Sequence, residues 1–237
     1  PAGFEEFRIE ESDSTPGGVP VMLPDLAPCP ECLEEMRDPF SRRYHYPFTN
    51  CTHCGSRYSI IETMPYDRAG TSMKGFRMCP ECRREYQDVE DRRFHAQPIG
   101  CPSCGPSVKV LFSDGSELGF GHGFDTPAAQ VAWVLADGLI VALLGVGGFQ
   151  LLADASSEAA VRRLRRLKER DAKPFAVMVP DVAAAERLCR LSEEEKRLLA
   201  SPAAPIVLAR GRKDVDLAPS VCMFSRFVGI MLPSSPL

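Results

Sequence analysis

Cys29-Pro30-Glu31-Cys32 is the first of four C-x-x-C pairs in the stretch around which the first half of the chain is organised. The other three are Cys51-Thr52-His53-Cys54, Cys79-Pro80-Glu81-Cys82 and Cys101-Pro102-Ser103-Cys104. Within each half of this stretch 18 residues separate the pairs, and 24 residues separate the halves, so C-x2-C-x18-C-x2-C occurs twice. Two thiolates on one tight turn can face a single cation, and zinc takes four such ligands in a tetrahedron. The sequence therefore predicts a duplicated four-cysteine zinc site. Its role is structural, because four protein ligands leave no position for a substrate.

The duplication extends beyond the cysteines, because Arg42-Arg43-Tyr44-His45 corresponds to Arg92-Arg93-Phe94-His95 at the same displacement of 50 residues. We expect one zinc ion per module, while an exchange of pairs between the modules stays open. The predicted ligands are Cys29, Cys32, Cys51 and Cys54 in the first module, and Cys79, Cys82, Cys101 and Cys104 in the second. Because so small a segment has little apolar core, metal binding should supply much of its folding free energy.

Two alternatives compete with these sites. A disulfide framework requires an oxidising compartment, and regular C-x-x-C pairs are more typical of zinc. His45, His53 and His95 lie near the cysteines, but four cysteines already complete a tetrahedral shell, which favours an all-cysteine site over a mixed Cys/His site. For the arginines at 42–43 and 92–93, we favour exposure to solvent, or contact with a neighbouring domain, over contact with phosphate.

Length and composition point to a soluble, cytoplasmic protein of two or three units. The chain has 237 residues, 25% of them charged, and a formal net charge of −4. Its apolar runs are too short for a membrane span, and its charge argues against a dedicated nucleic-acid-binding protein. The first ten residues read as the end of an upstream domain, followed by a linker rich in Ser, Gly and Pro from Ser12 to Pro20. We also expect truncation at Leu237.

The second half alternates predicted helices and strands. Thr126 and Pro127 begin a helix that ends at Gly138, and the apolar run Leu139 to Leu144 predicts a buried strand before a glycine-rich turn. Further helices are predicted after Ser156 or Ser157, over 182–191 and over 192–200, and further strands over 108–112, 175–179, 206–209 and 228–232. This order indicates an α/β sandwich (α+β) in which helices cover a sheet.

Candidate chemistry lies in two segments of this second half. Lys168, Arg170 and Lys173 cluster between a helix and a strand, where they could bind a polyphosphate. A basic run at a helix end is also commonly just solvated, because it complements the helix dipole. The preceding arginines, at 162, 163, 165 and 166, are predicted to face outward. Gly145, Gly147 and Gly148 form a turn that allows close approach of a ligand, although it lacks a full dinucleotide or Walker spacing. Cys189, on the helix over 182–191, and Cys222 read as small buried residues.

In combination these motifs resemble the HypF family, the carbamoyltransferases of [NiFe]-hydrogenase maturation. The resemblance is carried by the double cysteine array, by Gly145-Val146-Gly147-Gly148-Phe149-Gln150, by Lys168-Glu169-Arg170-Asp171-Ala172-Lys173-Pro174 and by Gly229-Ile230-Met231-Leu232-Pro233. It implies the tail of an acylphosphatase domain at 1–12, a linker at 13–28 and a tandem zinc-finger domain at 29–106. A connector at 107–123 and the N-terminal part of a YrdC-like domain at 124–237 follow.

The resemblance also implies the chemistry. Family members use carbamoyl phosphate and ATP with Mg, form carbamoyl-adenylate with loss of pyrophosphate, and pass the carbamoyl group to the C-terminal cysteine of HypE. That group becomes a cyanide ligand of the hydrogenase iron. Two structural zinc ions are the implied cofactors. The fragment by itself is expected to be catalytically incomplete, because segments that complete the nucleotide and transfer sites would lie beyond its end.

By the same resemblance, Lys168, Arg170 and Lys173 would hold the ATP phosphates, and Gly147, Gly148 and Phe149 would shape the carbamate pocket. The chain departs from the family pattern at Glu169, where His is common, at Asp171, where Pro is expected, and at Ser234, where Tyr is usual. An extra carboxylate beside the cations would lower nucleotide affinity.

Two other hypotheses concern the same units. YrdC-like domains also occur in tRNA-modification enzymes and are associated with double-stranded RNA, so the basic helix could contact RNA phosphates. The negative net charge and the zinc pair argue against this. The zinc pair itself would act as a spacer that fixes the catalytic domains around a channel.

Overall fold

A computed structural model describes residues 22–119 and 126–237. The expected acylphosphatase tail at 1–12 lies outside these residues, as do most of the linker and the end of the connector. In the described parts the fold is a mixture of helices and small sheets.

The first unit repeats one small motif. Helix α1 covers Pro30–Arg37 and helix α2 covers Pro80–Gln87. Each begins directly after the first cysteine of a pair, has Pro in its first turn and carries the second cysteine on its buried side. Short 3-10 turns at 58–60, 68–70 and 72–75 connect the two copies. The duplication in the sequence is thus a duplication of structure.

The second unit contains five helices and six strands in the described residues. The helices are α3 Pro127–Ala136, α4 Glu158–Leu167, α5 Val182–Leu188, α6 Glu193–Leu199 and α7 Pro219–Cys222. The strands are β1 Val141–Gly145, β2 Gly148–Leu152, β3 Ala176–Met178, β4 Cys189–Arg190, β5 Val207–Gly211 and β6 Phe227–Met231. Thr126, Ser157 and Ser192 cap their helices by accepting backbone N–H groups, as their positions in the sequence predict.

Four of the strands form one mixed sheet in the order β3-β6-β5-β4. Strand β3 runs parallel to β6, and the other neighbours are antiparallel. Side chains of one sheet face, including Val207, Ala209 and Ile230, are buried with Val161 of α4 and Val221 of α7. The core therefore lies between this face and the helices, as expected for an α/β sandwich.

Three predictions about elements were wrong. Strand β1 pairs only with β2 in the described residues, and Leu144 is 60% exposed, so the apolar run is not a buried strand. The glycine-rich segment after it does contain a turn, as predicted, and this two-residue hairpin turn leads into β2. The strand expected over 108–112 is reduced to a bridge between Leu111 and Glu117. Cys189 lies in β4, because the helix before it ends at Leu188.

In the parts of the chain that the structure describes, each helix is too short or too polar to cross a membrane.

Candidate metal centres and phosphate-binding turn

The first four cysteines converge on one point. Helix α1 brings Cys32 to the turn of Cys51 and Cys54, and the Sγ–Sγ distances are 3.7 Å for Cys29–Cys51, 3.8 Å for Cys51–Cys54 and 3.5 Å for Cys32–Cys54. All four Sγ atoms lie within 4.8 Å of one another, and three of the residues are buried. The pairs thus meet inside one module.

The second four cysteines repeat this geometry. The Sγ–Sγ distances are 3.8 Å for Cys79–Cys101, 3.6 Å for Cys101–Cys104 and 3.6 Å for Cys82–Cys104. Four thiolates at about 2.3 Å from a tetrahedral zinc ion are about 3.8 Å apart, whereas a disulfide joins sulfurs at about 2.05 Å. Both clusters therefore fit structural zinc, with the pairs arranged within modules.

The histidines do not join these clusters in the described residues. His45 stacks on Tyr44 with ring centroids 3.8 Å apart, and the ring of His95 lies 4.7 Å from that of Tyr86. Both histidines have positive φ values, and their N–H groups donate to carbonyls at the ends of α1 and α2. Their backbones close the turn after each helix. Each cluster of candidate ligands therefore consists of four cysteines and no histidine.

Two of the four arginines between the cysteine pairs are buried, contrary to the predicted exposure to solvent, while Arg42 and Arg92 stay partly exposed. Arg43 is 1% exposed and Arg93 is 4% exposed. Arg43 donates to Glu35 at 3.0 Å and to Glu85 at 2.6 Å, and Arg93 also contacts Glu35. Burial is unfavourable for the Glu85 carboxylate, but hydrogen bonds from Arg43 and Arg42 outweigh it and lower its pKa to about 2. Most partners of these arginines lie some 40 to 60 residues away in the chain. The local sequence does not contain these partners, so by itself it indicates a polar surface.

The basic turn of the second unit follows helix α4. Lys168 is the C-cap of α4 and is exposed, as is Lys173, while Arg170 is half-buried. Nε of Arg170 donates to the carbonyl of Lys173 at 3.1 Å, and its Nη2 donates to the carbonyl of Pro174 at 2.8 Å. The guanidinium also lies over the Phe175 ring, 5.1 Å from its centroid. Backbone carbonyls thus hold Arg170 in one orientation, with its remaining donors available to a ligand.

Arg165 organises this turn, although the sequence predicted that it faces outward. Its side chain is 8% exposed. Nη1 donates to the carbonyls of Arg170 at 2.8 Å and Lys173 at 3.2 Å, and Nε donates to the carbonyl of Ser220 at 2.6 Å. Arg165 lies four residues after Val161 and next to Leu164, which places it on the buried stripe of α4. This spacing is the sequence signal that could have predicted its burial.

The glycine turn lies at the tip of the β1–β2 hairpin. Gly145 pairs with Gly148, whose φ of 122° favours glycine. A Cβ added to Gly147 would lie 3.5 Å from Ser59 Oγ, so this tip approaches the first unit. Phe149 is 74% exposed. Of the departures from the family pattern, Glu169 has a φ of 47°, and Asp171 is exposed at the tip of the basic turn.

Comparison with known families divides the chain in the same way. The HypF finger family matches residues 29–61 and 78–111. The family Sua5_yciO_yrdC, described as telomere recombination, matches residues 133–237. The two cysteine clusters and the basic turn thus fall within the matched regions.

Relatives match nearly the whole chain. The chain is 49% identical to carbamoyltransferase HypF of Rhizobium leguminosarum bv. viciae over 100% of its length, and 47% identical to carbamoyltransferase HypF2 of Cupriavidus necator over 98%. It spans 29% and 28% of their lengths. A crystal structure of full-length HypF in the phosphate- and nucleotide-bound form is 49% identical, with a TM-score of 0.84 over 93% of this chain and 28% of that chain. The chain belongs to the HypF family.

Proposed function

We propose that the chain is part of an ATP-dependent carbamoyltransferase of [NiFe]-hydrogenase maturation, located in the cytoplasm. The whole protein would use carbamoyl phosphate and ATP with Mg to form carbamoyl-adenylate, and would pass the carbamoyl group to the C-terminal cysteine of HypE. The observation that carries this proposal is the 47–49% identity, along nearly the whole chain, to proteins named carbamoyltransferase HypF. A related structure binds phosphate and a nucleotide, which supports the use of ATP.

The eight clustered cysteines would hold two structural zinc ions. The ligands would be Cys29, Cys32, Cys51 and Cys54 in one site, and Cys79, Cys82, Cys101 and Cys104 in the other. Zinc bound by four thiolates supplies cross-links between chain segments and no open coordination position. The region 29–106 would therefore act as a rigid spacer between catalytic domains.

The basic turn would bind the phosphates of ATP. Lys168 and Lys173 are exposed, and Arg170 is fixed by two carbonyls, so the cations would need little rearrangement when the ligand arrives. Fixed cations stabilise the charge that develops as pyrophosphate leaves. The hairpin at Gly147, Gly148 and Phe149 would border the carbamate pocket in the YrdC-like unit at 124–237.

Removal of the cations tests this assignment in the full-length protein. Lys168→Ala and Arg170→Ala should each lower carbamoyl-dependent ATP–pyrophosphate exchange by about 100-fold or more, because each removes a fixed charge beside the leaving group. The zinc content should stay unchanged. Arg166→Ala is the matched control, since Arg166 is exposed on α4 just before the turn. Wild-type exchange in the Lys168 and Arg170 variants would mean that the phosphates bind elsewhere.

The RNA-binding alternative is not favoured by the comparisons, because the relatives that match nearly the whole of this chain are named carbamoyltransferase. RNA binding that weakens steeply with salt would be its signature. We expect the full-length protein to bind no double-stranded RNA at low salt.

A further inference from the structure

The two finger modules exchange arginines across their interface. Nη1 and Nη2 of Arg42, in the first module, each lie 3.4 Å from the Sγ atom of Cys82 in the second module. In return, Nη1 of Arg92, in the second module, lies 3.0 Å from the Sγ atom of Cys32 in the first. Each predicted metal centre thus receives a charged hydrogen-bond donor from the other module. N–H groups directed at a ligating sulfur stabilise the thiolate that binds metal.

A second pair of arginines crosses in the same way and is buried. Nε of Arg43 donates to the carbonyl of Gly100 at 2.9 Å, and Nε of Arg93 donates to the carbonyl of Asn50 at 3.0 Å. Gly100 and Asn50 directly precede the second cysteine pair of their modules. The four contacts form two matching pairs, because each residue in one contact has its counterpart 50 positions away in the other. The exchange therefore follows the internal duplication. Each module completes the surroundings of the other.

The positive charge at this interface exceeds the negative charge of the carboxylates that contact it. The four guanidinium groups share two carboxylates, because Glu35 contacts Arg43, Arg92 and Arg93, and Glu85 contacts Arg42, Arg43 and, at 4.0 Å, Arg93. Two positive charges therefore exceed the negative charge of the carboxylates. A zinc ion with four thiolates carries a net charge of about −2. Two such centres beside the arginines would compensate this excess, whereas empty centres with protonated thiols would leave it.

We propose that the two four-cysteine centres take up and release zinc as one coupled unit, because Arg42 and Arg92 each link one module to a thiolate of the other. This inference rests on the structural zinc ions proposed above and goes beyond them. A module that loses its metal no longer holds its arginines in place, so the thiolates of the other module lose a donor. Coupling between binding sites is reciprocal, so either loss weakens the other site.

Metal titration of the metal-free protein tests the coupling. Co²⁺ serves as the probe, since thiolate-to-cobalt charge-transfer absorption reports each filled centre. The wild-type protein should fill both centres in one cooperative transition. In the variant Cys79→Ser/Cys101→Ser, only the first centre remains, and its affinity for Co²⁺ should be about tenfold lower than in the wild type. Independent filling in the wild type, with equal affinity of the first centre in the variant, would overturn the proposal.

Arginine variants test the same coupling without removing a ligand. Arg42→Gln and Arg92→Gln should each accelerate the release of both zinc ions to a colorimetric chelator by about 10- to 100-fold, the usual effect of losing an outer-shell contact. Arg92→Lys should be intermediate, because it keeps the charge and loses the planar donor. Arg84→Gln is the control, since Arg84 is exposed on the helix that carries Cys82.

The outcomes separate this inference from the zinc assignment. Two zinc ions per chain that leave at the wild-type rate in both glutamine variants would overturn the coupling alone. Faster release of only one zinc ion, from the centre whose cysteine the replaced arginine contacts, would also overturn the coupling. Purified protein without zinc would overturn the assignment of the metal itself. Circular dichroism of the zinc-saturated variants establishes that each is folded before release begins.

Discussion

At the scale of single residues, Glu158 joins helix α4 to helix α7. Its carboxylate accepts the N–H of Ser220 at 3.0 Å and the hydroxyl of Ser220 at 2.6 Å, and it also accepts Nε of Arg162 at 2.5 Å. The hydrogen bonds from Ser220 and the charge of Arg162 lower the pKa of Glu158 to about 2. In the unfolded chain a glutamate has a pKa of about 4.3. The ionised carboxylate therefore stabilises the folded state at neutral pH.

This difference in pKa predicts how stability depends on pH. The contribution of Glu158 is complete above about pH 4.3 and is lost as the pH falls towards 2, because protonation then becomes equally favourable in both states. Glu158→Gln should thus lower the urea midpoint at pH 6, and the gap to the wild type should narrow from about pH 4 to about pH 2. Acid release of zinc affects both proteins and cancels in the comparison. Glu194→Gln, at an exposed position of α6, should show no such gap at pH 6. A gap that is constant with pH would contradict the assignment.

The sequence predicted which cysteines cluster together, but not the burial of the charged residues. The local spacing of the cysteines is enough to predict this clustering, because each C-x-x-C pair occupies one turn and presents both thiols on the same side. The burial of Arg43, Arg93 and Arg165 depends on carbonyls and carboxylates that are distant in the chain, such as Gly100 for Arg43. An arginine has the same local pattern whether it is solvated or buried, so its partners are visible only in the folded structure.

At the scale of elements, the loop between α4 and β3 is held by Arg165. The side chain reaches four carbonyl groups, those of Arg170, Lys173, Ser220 and Val221. It also lies over the Phe175 ring, 4.7 Å from the centroid. A single residue thus ties the end of α4 both to the basic turn and to α7. The backbone of Arg170 and of Lys173 is thus held by this side chain.

Arg165→Met tests this role, because methionine keeps much of the apolar stem and removes every donor. Loss of the donors leaves buried carbonyls unpaired, so we expect the free energy of unfolding to fall by about 3 kcal/mol. Urea unfolding monitored by circular dichroism measures the change. Arg166→Met, one residue along the same helix and exposed, should change it by less than about 0.5 kcal/mol. Equal stabilities for the two variants would show that the turn is held by other contacts.

Most helices and strands of the second unit were predictable from caps and alternation. Thr126 and Ser192 mark helix starts in the sequence, and the alternation of buried and exposed residues in β5 matches a strand with one covered face. The hairpin of β1 and β2 escapes sequence reasoning for a physical reason. The apolar residues of β1 suggest burial, yet the described part of the structure covers neither face of this two-stranded sheet fully. Strand β2 is hard to predict because it begins at Gly148, and glycine is typical of turns.

At the scale of the whole molecule, the two units touch at sites that the sequence does not reveal. The N–H of Ala27, just before the first cysteine, donates to the carbonyl of Pro202 in the second unit at 2.8 Å. Gly147 of the hairpin approaches Ser59 of the first unit. The composition predicted separate units because cysteines and periodic apolar segments occupy different thirds. Their contacts join residues far apart in the chain, and local patterns cannot supply such pairs.

The units also differ in what stabilises them, which predicts their response to chelation. Among the described residues, the buried clusters of the first unit consist largely of cysteines with Ala96 and Ile99, and Tyr46, Ile60 and Met73 are buried elsewhere in this unit. The second unit has a more extended aliphatic core. Metal binding should therefore supply most of the folding free energy of the first unit. On removal of zinc, amide protons of α1 and α2 should exchange rapidly with deuterium, while those of β5 and β6 stay protected.

Hydrogen exchange followed by mass spectrometry measures both units in one sample. Returning zinc should restore protection in α1 and α2, which distinguishes loss of metal from irreversible damage. Protection of these helices after complete zinc removal would mean that the arginine and carboxylate contacts hold the fingers without metal. That result is unfavourable on physical grounds, because the four partly or fully buried arginines around Glu35 and Glu85 would then be balanced by only two carboxylates. The chelator experiment therefore tests whether the buried charges of the first unit depend on its thiolate centres.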